Sequence, residues 1–263
     1  MGEGRFENRV GIITGAASGI GAATALRLAG EGALLVLADL DEDRGQQLAA
    51  ELGENVAIFA RCEVADHENV ERLVAAAMKR FARIDMLFNN AGIGCLAKTP
   101  EMSIELWHRV VAVDLHAIFY ACRAAIPEMR KSGGGVIVNT ASISGMAADY
   151  GFTAYNAAKA AAINYTRALA IDHAAEGIRV NAICPGLIDT PMTAGVHDVE
   201  GLFERWASGV PMRRAGTPKE MAAVVAFLMS DDASYVTGAI LPADGGVSAW
   251  TGQPDVTAII PPG

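Results

Sequence analysis

The chain has 263 residues, 52% of them hydrophobic and 6% aromatic, with 28 glycines and a formal net charge of -9. That acidic balance argues against nucleic acid or an anionic membrane as the main partner. Cys62, Cys95, Cys122 and Cys184 are widely spaced and the five histidines show no metal-ligand spacing, so no metal site and reduced cytosolic thiols are expected.

The opening residues Met1–Phe6 form no apolar leader, and no run reads as membrane-spanning, so a cytoplasmic location is expected. Val10–Thr14 is the first short β-rich run, followed by Thr14-Gly15-Ala16-Ala17-Ser18-Gly19-Ile20-Gly21 and a helix over Gly21–Gly30. Glycines in such a turn let the backbone approach a pyrophosphate, which then rests on the helix N-terminus. The spacing is G-x-x-x-G-x-G, and strand, turn and helix follow one another as a phosphate-binding turn requires. A second strand, Leu34–Ala38, leads to Asp39, eighteen residues past Gly21. A carboxylate there accepts hydrogen bonds from ribose hydroxyls and repels a 2′-phosphate. No Arg or Lys follows in Leu40-Asp41-Glu42, so NAD is expected rather than NADP. Taken alone, Asp39 could also be a helix N-cap.

Helices over Asp43–Leu52 and His67–Phe81 flank a third strand, Val56–Ala60, and the pair Glu63-Val64. The fourth strand, Met86–Asn89, runs into Asn90-Ala91-Gly92. Ser103–Lys131 reads as one long helix containing Val113-Asp114-Leu115. The fifth strand, Val136–Asn139, is apolar throughout Val136-Ile137-Val138, as a strand buried on both faces should be, and Ser142 follows it. A helix over Tyr155–Glu176 places Tyr155 and Lys159 on one face, four residues apart. A phenol has an unperturbed pKa of about 10. A neighbouring cation favours the phenolate and pulls that value toward the working range. By itself the pair also matches an ordinary solvated helix face.

Strands Arg179–Ile183 and Ala239–Pro242 and a helix over Lys219–Met229 complete the series. Strand alternating with helix predicts an α/β chain: a single-domain, Rossmann-type, doubly wound parallel seven-stranded sheet with helices on both faces. The domain is expected to span 1–250, with a strandless lid over about 188–214 and a tail over 251–263.

The glycine turn, Asp39, Asn89-Asn90-Ala91-Gly92, Ser142, Tyr155-x-x-x-Lys159, Pro185-Gly186 with Thr190, and Asp244-Gly245-Gly246 make the chain resemble a classical short-chain dehydrogenase/reductase from Val10 to Gly246. The resemblance implies Tyr155 as general acid/base and Lys159 as the cation that tunes it and holds the nicotinamide ribose. It implies Ser142 as a hydrogen-bonding partner of the reacting oxygen; without it, Ser142 would be an ordinary loop serine. Gly15, Ser18, Gly19, Ile20, Gly21, Asn90, Gly92, Ile188 and Thr190 then join Asp39 in holding NAD. Two positions depart from the family. Asp114 stands where Asn is usual, and it would hold Lys159 as an ammonium or merely kink its helix. Glu63-Val64 stands where Asp-Val is usual at the adenine.

The resemblance also implies a homotetramer and a pocket formed by Ile93–Leu96, Ile143–Phe152 and Ile188–Met212. Its apolar candidates are Ile93, Leu96, Ile143, Met146, Phe152, Met192, Val196, Leu202, Phe203 and Trp206. Asp149 and Asp189 are the charges among them, each also readable as a loop cap. The expected substrate is a neutral, fairly apolar secondary alcohol or ketone, cyclic ones included. A 3-oxoacyl-carrier-protein reductase and a catalytically silent NAD-binding scaffold are the alternatives.

Overall fold

The computed structural model describes residues 4–253, so nearly all of the tail expected over 251–263 lies outside the described residues. Seven strands form one sheet: β1 (Val10–Thr14), β2 (Leu34–Asp39), β3 (Ala57–Arg61), β4 (Met86–Asn89), β5 (Gly135–Thr140), β6 (Ile178–Pro185) and β7 (Ile240–Ala243). Their order is β3-β2-β1-β4-β5-β6-β7, and every neighbouring pair is parallel. The strands match the expected set: β1 and β4 coincide with it, and the others have ends displaced by one or two residues. Helices α1 (Gly19–Ala29), α2 (Glu42–Leu52), α3 (His67–Phe81), α4 (Ile104–Val111), α5 (Ala117–Lys131), α6 (Ile143–Met146), α7 (Thr153–His173), α8 (Leu202–Ser208) and α9 (Pro218–Met229) lie between them.

A parallel sheet covered on both faces needs apolar residues at every strand position. In β1 all five residues are buried. Ile12, Val36, Leu87 and Ile137 point into the core beneath α3, α5 and α7, whereas Ile13, Leu35, Phe88 and Val138 point into the core beneath α1 and α9. Each fully buried aliphatic side chain contributes about 1.5–3 kcal/mol, so the sheet is the rigid part of the molecule. The strand order reverses at β1, which has β2 on one side and β4 on the other. Ligands of such sheets bind beyond the carboxyl ends of the strands at that reversal. Thr14, Asp39, Asn89 and Thr140 all end there.

The helix expected over Ser103–Lys131 is not uniform. A π-turn over Ala112–His116 joins α4 to α5. Such turns rotate the side chains that follow and recur at functional sites. This one holds Asp114, whose exposure is 0%. The stretch Ile104–Lys131 is 28 residues long and holds an 18-residue window with a mean hydropathy of 1.4, enough by length and composition to cross a membrane. That corrects the expectation that no run reaches such a length. Its Ile118, Ala121, Cys122 and Met129 are instead buried against the sheet. The segment after β6 has no strand, as expected; it carries a 3-10 turn over Pro191–Val196 and α8, and is tied to the body by a bridge between Ile188 and Gly216.

Candidate active site

At one end of the cleft lies the glycine turn. Gly15 and Gly19 have φ of 63° and 53°, where side chains are strained. A Cβ on Gly21 would lie 2.0 Å from the Gly15 carbonyl oxygen. The helix N-cap, Ser18, makes no side-chain cap bond, so the first N–H groups of α1 remain open to an anion. The Asn90 amide donates to the carbonyls of Thr14 at 3.1 Å and Gly15 at 3.2 Å and fastens the turn to β4. These features fit the pyrophosphate of a dinucleotide.

Asp39 closes β2. Its Oδ2 accepts from the Ala17 N–H at 2.8 Å, and its Oδ1 from the N–H groups of Leu40 at 2.7 Å and Asp41 at 3.1 Å. The N-cap of α2 is Asp41, which accepts from Arg44 N–H at 3.1 Å, so Asp39 does not hold that role. Glu63, expected at the adenine amine, already accepts from Ala65 N–H at 3.2 Å and pairs with Arg109 at 2.9 Å. Val64 is buried beside it.

Tyr155 and Lys159 share a face of α7, with the Lys159 ammonium 5.4 Å from the phenol ring centroid. Lys159 is 2% exposed. Its Nζ donates to the Thr140 carbonyl at 2.9 Å and lies 3.0 Å from Asp114 Oδ1. Asp114 Oδ2 accepts from the Ile93 N–H at 3.2 Å. Oδ1 has no hydrogen bond of good angle, so its contact with Lys159 is an ion pair that is close but poorly directed. A Cβ on Gly92 would come within 2.8 Å of that oxygen, which explains the glycine there.

Burial raises the Asp114 carboxyl, and Lys159 opposes that rise. Burial alone would lower the Lys159 ammonium, but Asp114 and Tyr155 outweigh it and the net direction is up. The Tyr155 phenol is also raised: burial pushes it up, Lys159 pulls it down, and Asp114 pushes it up again. Lys159 thus acts in the expected downward sense, but burial, the largest influence, together with the opposing charge of Asp114 leaves the phenol above its ordinary value.

Ser142 caps the short α6. Its Oγ accepts from the Ser144 N–H at 3.1 Å and donates to Ser144 Oγ at 3.1 Å. Ser144 Oγ in turn donates to the Asp149 carboxylate. Hydrogen bonding from Ser142 acts on Tyr155 in the same downward sense as Lys159.

One cleft of about 460 Å³ joins Asp39 and the glycine turn to Ser142, Tyr155 and Lys159. Ile188 and Thr190 line it, and its apolar wall includes Ile93, Phe152, Met192, Val196 and Trp206. Leu96, Ile143, Met146, Leu202 and Phe203, also expected there, are not among the lining residues. No cluster of metal-binding side chains exists among the described residues. Three contributors escaped the sequence: Thr140, which acts through its carbonyl, Arg109, and Ser144. A carbonyl has no sequence signature, and neither Arg109 nor Ser144 falls in a motif.

The family model described as enoyl-(acyl carrier protein) reductase matches residues 15–248. The chain is 42% identical over 252 residues to meso-2,3-butanediol dehydrogenase of Serratia marcescens, covering 96% of this chain and 99% of that one. It is 41% identical to cyclohexanol dehydrogenase of Acinetobacter sp. strain SE19, covering 92% and 95%. The crystal structure of levodione reductase superposes with a TM-score of 0.88 at 40% identity, covering 93% and 99%. With this fold, this cleft and these relatives, the chain belongs to the short-chain dehydrogenase/reductase family, whose dehydrogenases use nicotinamide cofactors.

Proposed function

We propose that the protein is an NAD-dependent dehydrogenase of neutral, fairly apolar secondary alcohols, cyclic ones included, with Tyr155 as general acid/base. The observation that carries this reading is the shared cleft: a dinucleotide-binding turn and Asp39 at one end, Ser142, Tyr155 and Lys159 at the other, and an apolar wall between. The relatives named for butanediol and cyclohexanol act on small alcohols of that kind.

A bound nicotinamide supplies the hydride acceptor. Tyr155, as phenolate, takes the hydroxyl proton of the alcohol. Lys159, anchored by its hydrogen bond to the Thr140 carbonyl and by its ion pair with Asp114, stabilises the phenolate by its charge. Ser142 fixes the reacting oxygen by a hydrogen bond. Met192, Val196 and Trp206 reach the cleft from the 188–214 segment, which acts as a lid that excludes water.

The test is NADH formation across secondary alcohols, diols and cyclic alcohols, with NADP as control. Turnover of cyclic and simple secondary alcohols with NAD is expected. Preference for a phosphorylated or multiply charged substrate would overturn the substrate reading, and NAD binding without turnover on any alcohol would overturn the enzymatic one.

Cofactor choice gives a second expected result. Asp39→Ala removes the acceptor for the ribose hydroxyls and the repulsion of a 2′-phosphate, and it also releases the Ala17 N–H. KM for NAD should rise about ten- to a hundred-fold, the worth of hydrogen bonds to a charged group, while use of NADP increases. An unchanged ratio of NAD to NADP turnover would exclude Asp39 from cofactor selection.

A further inference from the structure

The carboxylate of Asp149 does not cap the loop that bears it. That loop is tied to α7 by Asn156, whose side chain donates to the Asp149 carbonyl at 3.0 Å and accepts from the Asp149 N–H at 3.4 Å. Oδ2 of Asp149 accepts instead from the Ser144 hydroxyl, and Oδ1 has no partner among the described residues. Ser144 is 7% exposed, and both residues line the cleft together with Ser142, Phe152 and Tyr155. Burial dominates the rise of the Tyr155 phenol, but the charge of Asp149 reaches it too and adds to that rise.

An ionised carboxylate has no proton to give, so the hydrogen between Ser144 and Asp149 belongs to Ser144. This corner then offers the cleft only acceptors: the Ser144 lone pairs and Asp149 Oδ1. It suits a hydrogen-bond donor, has nothing to give a carbonyl, and repels a carboxylate or a phosphate. Spacing narrows the choice of donor. Ser142 Oγ and Ser144 Oγ lie 3.1 Å apart, about one hydrogen-bond length. The two oxygens of a gauche vicinal diol are separated to a similar degree. With one of them on Ser142 and Tyr155, the other arrives beside Ser144 and Asp149. Ser142 must also turn its hydrogen from Ser144 to the reacting oxygen, which leaves the buried Ser144 oxygen without a donor. A second hydroxyl replaces that donor, whereas a monohydroxy alcohol leaves the acceptor unpaired, and an unpaired buried acceptor is costly.

We propose that Ser144 and Asp149 form a subsite for a second hydroxyl, and that the favoured substrates are neutral vicinal diols oxidised at one carbon to the α-hydroxyketone. The inference rests on the dehydrogenase reading and narrows it. The reacting carbon gives its C–H hydrogen as hydride to NAD and its O–H proton to Tyr155, while the second hydroxyl stays intact. Further oxidation would place the new carbonyl against the acceptors, so the reaction halts after one step. In reverse, an α-hydroxyketone should be reduced in preference to an α-diketone.

The experiment compares kcat/KM for a vicinal cyclohexanediol and for cyclohexanol in the unaltered full chain, in Asp149→Asn and in Ser144→Ala. The unaltered protein should favour the diol roughly ten- to a hundred-fold, as one unpaired buried acceptor implies. Asp149→Asn can still accept from Ser144 but turns an N–H donor to the cleft. Its diol preference should fall toward unity, and its reduction of the diketone should gain on that of the hydroxyketone. Ser144→Ala should lose the diol preference as well. Each readout is a ratio within one variant, so partial unfolding and any effect of Asp149 on Tyr155 cancel. Equal kcat/KM for diol and monohydroxy alcohol in the unaltered protein would overturn the proposal, as would a full diol preference in either variant. Failure of the underlying reading looks different: Tyr155→Phe would then remain active on both substrates, with the diol preference intact.

Discussion

Tyr155→Phe is expected to lower kcat/KM for alcohol oxidation roughly a hundred- to ten-thousand-fold, the usual worth of a positioned acid/base. The substitution removes one oxygen and little else. The ring keeps its edge-on packing with Phe152, at 6.3 Å between centroids, and its place beside Lys159. NADH should therefore bind with nearly unchanged affinity, and the thermal midpoint should hold. Loss of turnover with retained binding separates chemistry from folding. A variant keeping a tenth or more of the original activity would mean that another group removes the proton.

The raised Tyr155 phenol sets the pH dependence. Oxidation needs the phenolate, whose fraction grows about ten-fold per pH unit below the pKa. With the phenol pushed above its ordinary value by burial and by Asp114, alcohol oxidation should climb steadily from neutral into alkaline pH. Ketone reduction needs the phenol and should be favoured toward neutral pH.

Much of the fold was legible because buried parallel strands leave a strong mark. Runs such as Val136-Ile137-Val138 are apolar at every position only when both faces are covered, and the intervening helical stretches then imply crossovers and the order of the sheet. The glycine turn was legible for a related reason, since Gly15, Gly19 and Gly21 occupy positions where a side chain is strained or has no room. The interruption of the long helix was not legible. A π-turn differs from an α-helix by one residue of hydrogen-bond shift, and Val113-Asp114-Leu115 carries no signal for it. The pocket wall was half legible: Met192, Val196 and Trp206 line the cleft, while Phe203, on the same segment, stacks on His197 at 4.2 Å instead. Which side of a short lid helix faces inward depends on loop geometry that composition does not encode. The electrostatics were least legible. Tyr155 beside Lys159 suggested a lowered phenol; Lys159 does pull it down, but the burial of Tyr155, the largest influence, and Asp114, forty-one residues earlier in the chain, carry the balance upward.

Asp114 also carries the second large expected effect, and two substitutions separate its charge from its place in the packing. Asp114→Asn keeps the shape and an oxygen that can accept from the Ile93 N–H. It removes the negative charge that raises both Lys159 and Tyr155. The sign follows directly: without that charge the phenol titrates lower, so the acid limb of the oxidation profile moves to lower pH and the Asn variant gains on the original protein near neutrality. Lys159 also titrates lower and stops supporting the phenolate sooner, so the variant falls behind in strong alkali. Asp114→Ala leaves a buried ammonium without its counterion. Breaking such a pair costs about 3–5 kcal/mol, which corresponds to a fall of roughly 6–20 °C in the thermal midpoint for a chain of this size. Thermal unfolding and pH–rate profiles of the two variants, measured side by side, check both halves. If the original protein is inactive and Asn alone restores turnover, the ion pair is incompatible with catalysis. If the Asn profile superimposes on the original, Asp114 exerts no field on Tyr155 and serves only to hold α4, the π-turn and α7 together.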